Sequence, residues 1–150
     1  MFNLKSKHVV LGVTGSIASY KAVDIASELT QLGATVDVLM TKSACRFITP
    51  LTFRGVTGRQ VYEDMFDLST EIPELHVELG HTADIVVIVP ATATSIARLA
   101  HGMADDLVSL TALASRSPLV ICPAMDGNMW NNPATQANVT TLRDRGALLV

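Results

Sequence analysis

Four short stretches carry most of the groups in this 150-residue chain that could hold or transform a ligand: Gly12 to Ser16, Thr41 to Ser43, Pro90 to Ser95 and Pro123 to Trp130. All four are rich in small, hydroxyl or amide side chains. The first, Gly12-Val13-Thr14-Gly15-Ser16, follows the apolar run Val9 to Leu11 and opens a long amphipathic segment. A strand, a glycine turn and a helix in that order let backbone N–H groups approach an anion at the positive end of the helix dipole. The spacing is G-x-x-G, so the third glycine of a dinucleotide fingerprint is missing, and the turn has no Lys-Ser or Lys-Thr pair to complete a Walker A loop. The second stretch, Thr41-Lys42-Ser43, stands where a ribose-binding dehydrogenase places Asp or Glu. Hydroxyls and a lysine suit a phosphate, so a mononucleotide whose single phosphate lies between the first two strand ends fits this pair of turns better. The glycine pair taken alone also fits a tight α/β turn with no ligand.

The elements that must position these stretches alternate along the chain. His8 to Val13 reads as a first strand. A helix from Ser16 to about Leu32 carries Ile17, Tyr20, Val23, Ala26 (or neighbouring Ile25) and Leu29 at helical spacing, with Gly33 as its stop. Ala34 to Met40 reads as a second strand, Val36 and Val38 facing one way and Asp37 the other. Ser43 to Phe47 and Leu51 to Val56 read as two short helices split by Pro50, and Gly58 to Leu75 as an irregular surface segment. Asp84 to Val89 is the continuous apolar run of a strand covered on both faces. Pro90 to Ser95 is the turn after it, with a helix beginning at Ile96, and Asp105 or Asp106 caps another helix reaching about Ser115. Pro118 to Cys122 is a further buried strand, Pro123 to Pro133 a turn, Ala134 to Arg145 a helix ended by Gly146, and Ala147 to Val150 one more strand. This alternation implies an α/β fold, a three-layer doubly wound parallel sheet of Rossmann-like type, in one domain. In such sheets ligands lie beyond the carboxyl ends of the strands, and all four stretches fall there.

Composition narrows the function classes. Hydrophobic residues make up 49% of the chain and the mean hydropathy is +0.36, which implies elements buried on several sides or apolar subunit contacts. No run reaches the ~18 consecutive apolar residues of a membrane span, and MFNLKSKHVVLG at the start reads as a strand rather than a signal peptide. A net charge of −3 with scattered Lys and Arg argues against a nucleic-acid surface. Cys45 and Cys122 are far apart and lack metal-ligand spacing, so reduced thiols in the cytoplasm and no metal site are expected.

The chain resembles the flavin-dependent cysteine decarboxylases over nearly its whole length. GVTGSIASYK (Gly12 to Lys21) is similar to the family's phosphate loop and TKSACRFI (Thr41 to Ile48) to its second phosphate-side turn. HVELGHTADIVVIVPATATSIARLAHGMADDL (His76 to Leu107) is similar to its flavin-binding core, and PAMDGNMWNNPAT (Pro123 to Thr135) to its substrate-recognition motif. The resemblance implies bound FMN, held by Gly15, Ser16 and Ile17 and by Thr41 and Ser43 at the phosphate, with Ala91, Thr92, Thr94 and Ser95 at the isoalloxazine ring. The usual pattern has Asn at Thr94 and Thr at Ser95, and both residues here still offer hydrogen bonds. His76 takes the place of the catalytic histidine that helps remove a proton during oxidation of the cysteine side chain. His8, His81 and His101 match no such role and read as structural or solvated.

Asp126, Asn128 and Met125 fall in the substrate motif. The family's best-known form has Asn at Asp126, where an amide holds the substrate carboxylate, and an ionised Asp would repel it. Either Asp126 is protonated, or it meets another group, or Asn128 takes over; Met125 also fits a packing role with Met129 and Trp130. The implied reaction is the FMN-dependent decarboxylation of 4′-phosphopantothenoyl-L-cysteine to 4′-phosphopantetheine in coenzyme A biosynthesis. Oxidation to a thioaldehyde supplies the electron sink for loss of CO₂, and the electrons then return to the ene-thiol. The alternatives are decarboxylation of a peptide C-terminal cysteine, or a flavin-binding regulatory protein without catalysis. The resemblance further implies a homotrimer or an assembly of trimers with flavin at subunit boundaries, and a CTP-dependent synthetase domain, fused or separate. It also implies a C-terminal flap bearing a proton-donating cysteine beyond Val150, so this chain is expected to complete oxidation and decarboxylation rather than the closing reduction.

Overall fold

Short aliphatic runs bounded by glycine, proline and hydroxyl residues place the strands. In the computed structural model, which describes residues 3–150, they are β1 (His8–Val13), β2 (Thr35–Met40), β3 (Val61–Tyr62), β4 (Ile85–Ala91), β5 (Leu119–Pro123) and β6 (Leu148–Leu149). Every pairing is parallel and the sheet order is β3-β2-β1-β4-β5-β6. The helices are α1 (Lys21–Gln31), α2 (Pro50–Thr57), α3 (Leu75–Thr82), α4 (Ala93–His101), α5 (Leu107–Ala114), α6 (Gly127–Asn131) and α7 (Pro133–Asp144), with 3₁₀ turns at Ile17–Tyr20 and Ala44–Arg46. Among the described residues no helix is long and apolar enough to cross a membrane.

The period of two along the strands divides the core into two layers. Val9, Leu11 and Val13 of β1 join Val36, Val38 and Met40 of β2 under α1 and α2, where Ala22, Ala26 and Phe53 are buried. Val10 and Leu39 face the other way and meet Val86, Ile88 and Ile121 under α3, α4, α5 and α7. Full burial of one such side chain, Phe53 for example, contributes about 1.5–3 kcal/mol. Gly12 lies inside β1 rather than in a turn. A Cβ there would come within 2.7 Å of Val108 Cγ1 and 2.8 Å of Ile88 Cδ1, so this glycine lets α5 settle onto the sheet and does not face a ligand.

Several local expectations change. The helix after Ser16 begins as a 3₁₀ turn, with α1 proper starting at Lys21. Three residues per turn rotate the stripe, so Ile17 and Tyr20 are 82% and 59% exposed while Ser19 is buried. Pro50 opens α2 at a first-turn position, where its missing N–H costs nothing. The turn expected at Pro90 to Ser95 is shorter, since β4 runs through Ala91 and α4 begins at Ala93. The helix α3 begins at Leu75 with Glu74 as its N-cap, so His76 sits on a helix that starts where the irregular segment was expected to end. Likewise α6 lies within the turn expected from Pro123 to Pro133.

The edge strand β3 falls inside the segment expected to be irregular. It pairs with β2 at two positions, Val38 with Val61 and Leu39 with Tyr62. Just before it, Arg59 donates from Nε and Nη2 to the two oxygens of Asp37 at 2.8 and 3.2 Å, and His8 Nε2 lies 2.7 Å from Asp37 Oδ2. Asp37 thus faces away from Val36 and Val38, as the alternation predicts. Burial pushes its carboxyl up, but the hydrogen bonds from His8 and Arg59 outweigh that and hold it below its ordinary value. The Asp37 hydrogen bond in turn raises His8 above its ordinary 6.5.

Candidate functional site

The sheet reverses direction of growth at β1 and β4, and the loops leaving their carboxyl ends diverge there. A cavity of about 580 Å³ opens at this point. One side is Gly15 with Thr41, Lys42 and Ser43; the other is Thr92 to Ser95 at the start of α4. Glu63 to Phe66, just after β3, form a third wall, and Arg98, Asp105, Asp106, Leu107 and Met129 complete it.

Local hydrogen bonds explain how these loops hold their shape. Thr14 Oγ1 donates to the Pro90 carbonyl at 2.6 Å and accepts from the Thr92 N–H at 3.0 Å. This one hydroxyl ties the first turn to the fourth strand. Thr92 caps α4 by accepting from the Ser95 N–H at 3.1 Å, and Thr41 accepts from the Ala44 N–H at 3.1 Å. Gly15 permits the closest approach in the site: a Cβ there would lie 2.8 Å from the Ser43 carbonyl carbon. The N–H groups of Gly15, Lys42, Ser43, Ala93 and Thr94 donate to no other protein group among the described residues, and all five residues line the cavity. Converging free N–H groups beside a lysine suit an anion and polarised carbonyls.

Across the cavity Arg98 donates to Asp105 from Nε at 2.8 Å, and Asp106 caps α5 by accepting from the Ser109 N–H at 2.8 Å. Asp106 is therefore the cap and Asp105 the ion-pair partner. Cys45 lies 3.4 Å from Glu63 Oε2; burial and that carboxylate push the thiol up to about 11. Burial also raises Cys122, so neither thiol is poised as a nucleophile.

Of the residues singled out from the sequence, Gly15, Thr41, Ser43, Thr92, Thr94 and Ser95 are brought together in this cavity. The others lie outside its lining within one chain. Ser16 Oγ accepts from the Ala18 N–H at 3.1 Å and so shapes the 3₁₀ turn, while Ile17 points to the surface. Ala91 is fully buried, its carbonyl accepting from the Ala124 N–H at 3.1 Å. Asp126 caps α6 by accepting from the Asn128 N–H at 2.8 Å, and Met125 lines a separate hollow with Trp130, Arg143 and Leu149. His76 stands on α3, which packs along α5. Glu63 to Phe66 were not expected in the site, while Arg98 and Leu107 fall in the stretch likened to the flavin-binding core without being singled out. Only the fold brings Glu63 to Phe66 there, because nothing local marks a loop that follows a two-residue strand.

Residues 2–150 match the family model described as Flavoprotein. The chain belongs to the Flavoprotein family. This flavoprotein is similar to the coenzyme A biosynthesis bifunctional protein CoaBC of Vibrio vulnificus strain YJ016, 44% identical over 146 residues that cover 97% of this chain and 36% of the relative. The corresponding protein of Bacillus subtilis strain 168 is 42% identical over 143 residues, 95% of this chain and 35% of the relative. The chain thus spans about a third of the length of these curated relatives. Among solved structures, the FMN-dependent cysteine decarboxylase SpaF superposes with a TM-score of 0.91 at 36% identity, covering 98% of this chain and 85% of that one. A PPC decarboxylase variant complexed with pantothenoylaminoethenethiol gives 0.84 at 30% identity, covering 97% and 82%.

Proposed function

We propose that this flavoprotein binds FMN in the cavity between β1 and β4 and is the decarboxylase part of a coenzyme A biosynthetic enzyme, acting on 4′-phosphopantothenoyl-L-cysteine. The observation that carries the reading is the convergence of free N–H groups on one cavity whose closest approach only a glycine allows. The donor set fits the cofactor. Gly15, Lys42 and Ser43 would hold its phosphate, and the amides of Ala93 and Thr94 with the Thr92 and Ser95 hydroxyls would meet the polar edge of its ring. Met65, Phe66, Leu107 and Met129 supply apolar surface. Bound FMN would supply a two-electron acceptor for oxidation of the cysteine CH₂–SH to a thioaldehyde, whose C=S group takes up the electron pair left on the neighbouring carbon when CO₂ departs.

The chain's own residues take the remaining roles. His76 is assigned the proton of the oxidation step, and the α6 loop, through Asp126, Asn128 and Met125, the substrate. Since Asp126 already accepts the Asn128 N–H, its carboxylate shapes the loop, and the Asn128 amide is the better donor to a substrate carboxylate. Met129 of α6 reaches the cavity, but His76, Met125, Asp126 and Asn128 are not part of its lining within their own chain, so a neighbouring subunit would bring them to it. The exposed Ile17, Tyr20, Phe47 and Leu51 favour such contacts, in a homotrimer or an assembly of trimers, with a CTP-dependent synthetase domain as the further partner. A cytoplasmic setting agrees with two free cysteines.

The likeness to SpaF, an FMN-dependent cysteine decarboxylase, keeps a second reading in play, a different cysteine substrate such as the C-terminal cysteine of a peptide. Release of CO₂ from 4′-phosphopantothenoyl-L-cysteine, measured beside a peptide ending in cysteine, tests both. Faster turnover of the phosphopantothenoyl compound supports the first reading; faster turnover of the peptide replaces it with the second. FMN retention with CO₂ from neither would leave a flavin-binding regulator.

A further inference from the structure

The third wall of the cavity, Glu63 to Phe66, leaves the edge strand β3 directly. Little else seats this wall. The strand has two paired residues, and Phe66 and Leu68 are 80% and 98% exposed. Tyr62 and Met65 pack against the core, and Glu63 touches Cys45. The firmest polar attachment lies at the other end of the strand. There Arg59 grips Asp37 with two hydrogen bonds, on a carboxylate only 4% exposed and closed on its second oxygen by His8. A planar fork on a buried carboxylate defines direction as well as distance. Asp37 precedes Val38 and Leu39, the two β2 residues that pair with β3, so the grip sits one residue from the ladder it would set.

We propose that Arg59 is a positioning residue for the cavity: its hold on Asp37 sets the register of β3, and through it the place of the Glu63–Phe66 wall. Among the described residues Arg59 is not part of the cavity lining and hydrogen-bonds to none of it, so it acts from the amino end of the strand on a site at the carboxyl end. The inference rests on the reading of the cavity as an FMN site, but the placement of the wall can be measured without flavin.

The test compares wild type with Arg59→Lys and Arg59→Met. Amide hydrogen exchange is followed on the flavin-free protein, and FMN affinity is measured by fluorescence quenching. Lysine keeps the charge without the fork, so a folded variant is available even if methionine, which strands a buried carboxylate, is unstable. Exchange across Val61 to Phe66 should quicken in both variants, more with methionine, while Gly12 to Ser16 and Thr92 to Ser95 keep wild-type rates. The dissociation constant for FMN should rise about tenfold with methionine and by less with lysine. Wild-type exchange at Val61 to Phe66 in both variants would overturn the proposal. So would uniform acceleration along the chain, or faster exchange there with unchanged FMN affinity. If wild type itself takes up no FMN, the cofactor reading falls, and the exchange rates alone then decide whether Arg59 holds β3.

Discussion

A Cβ on Gly15 would sit 2.8 Å from the carbonyl carbon of Ser43, and the two turns it would push apart are those assigned to the phosphate. Overpacking at such a contact costs about 1–3 kcal/mol, so Gly15→Val should weaken FMN binding roughly tenfold or more with the far-ultraviolet circular dichroism unchanged. Fluorescence titration checks it; wild-type affinity would show that the two turns do not share the phosphate. His76 separates binding from chemistry. Loss of a general base costs roughly 10²–10⁴ in rate, so His76→Asn should retain FMN and release CO₂ that much more slowly. A variant with full activity would remove the histidine from the mechanism. The residue scale also shows where motif reading stops. Gly12 and Gly15 look like a pair in the sequence, yet one serves packing under α5 and the other the approach of Ser43. Ser16 reads as a ligand, and its oxygen also accepts from the Ala18 N–H, which leaves the hydroxyl proton free to donate to a phosphate.

At the scale of elements, the buried strands were legible and the short surface pieces were not. The expected His8 to Val13 strand coincides with β1, and β2, β4 and β5 fall within one or two residues of their expected bounds. Strands buried on both faces advertise themselves as unbroken aliphatic runs. By contrast β3 has two residues and α6 five, too few for any period to show, and their places are set by Asp37, Arg59 and the Asp126 cap. The cap on α5 gives a direct check: Asp106→Ala should cost about 1 kcal/mol, read as a lowered melting temperature. The β1–β2–β3 corner makes a pH prediction. The raised His8 contributes stability fully below its ordinary 6.5 and loses it as pH climbs through the raised value. The lowered Asp37 contributes fully above its ordinary 3.8 and loses it as pH falls through the lowered value. Tyr62, Glu78, Lys7 and Asp84 also face this corner, and burial raises Tyr62 above its ordinary value. The contribution of the corner should therefore peak between those two ordinary values. In denaturant titrations, His8→Gln should flatten the alkaline decline and shrink the acid one, which Arg59 then sustains.

For the whole molecule, the doubly wound topology explains why the phosphate and ring turns meet: β1 and β4 are neighbours in the sheet though about seventy residues apart in sequence. The four candidate stretches were legible because they all follow strands. Their division was not, since Met129 alone of the α6 loop joins the cavity that the other turns share, and His76, Asp126 and Asn128 are not in its lining. The proposed subunit contact would resolve that division, and it predicts that the protein sediments as a trimer or a multiple of one. Ile17→Asp, on an exposed apolar residue beside the phosphate turn, should shift it toward monomer, and sedimentation velocity reads the change. A wild-type monomer with full activity would contradict the shared site. The central claim, an FMN site that acts on a cysteine substrate, is tested most directly by the visible absorbance of the purified protein, recorded anaerobically before and after 4′-phosphopantothenoyl-L-cysteine is added. The account predicts a yellow protein whose flavin band bleaches on addition of substrate, with CO₂ released. A colourless protein that takes up no FMN would contradict it.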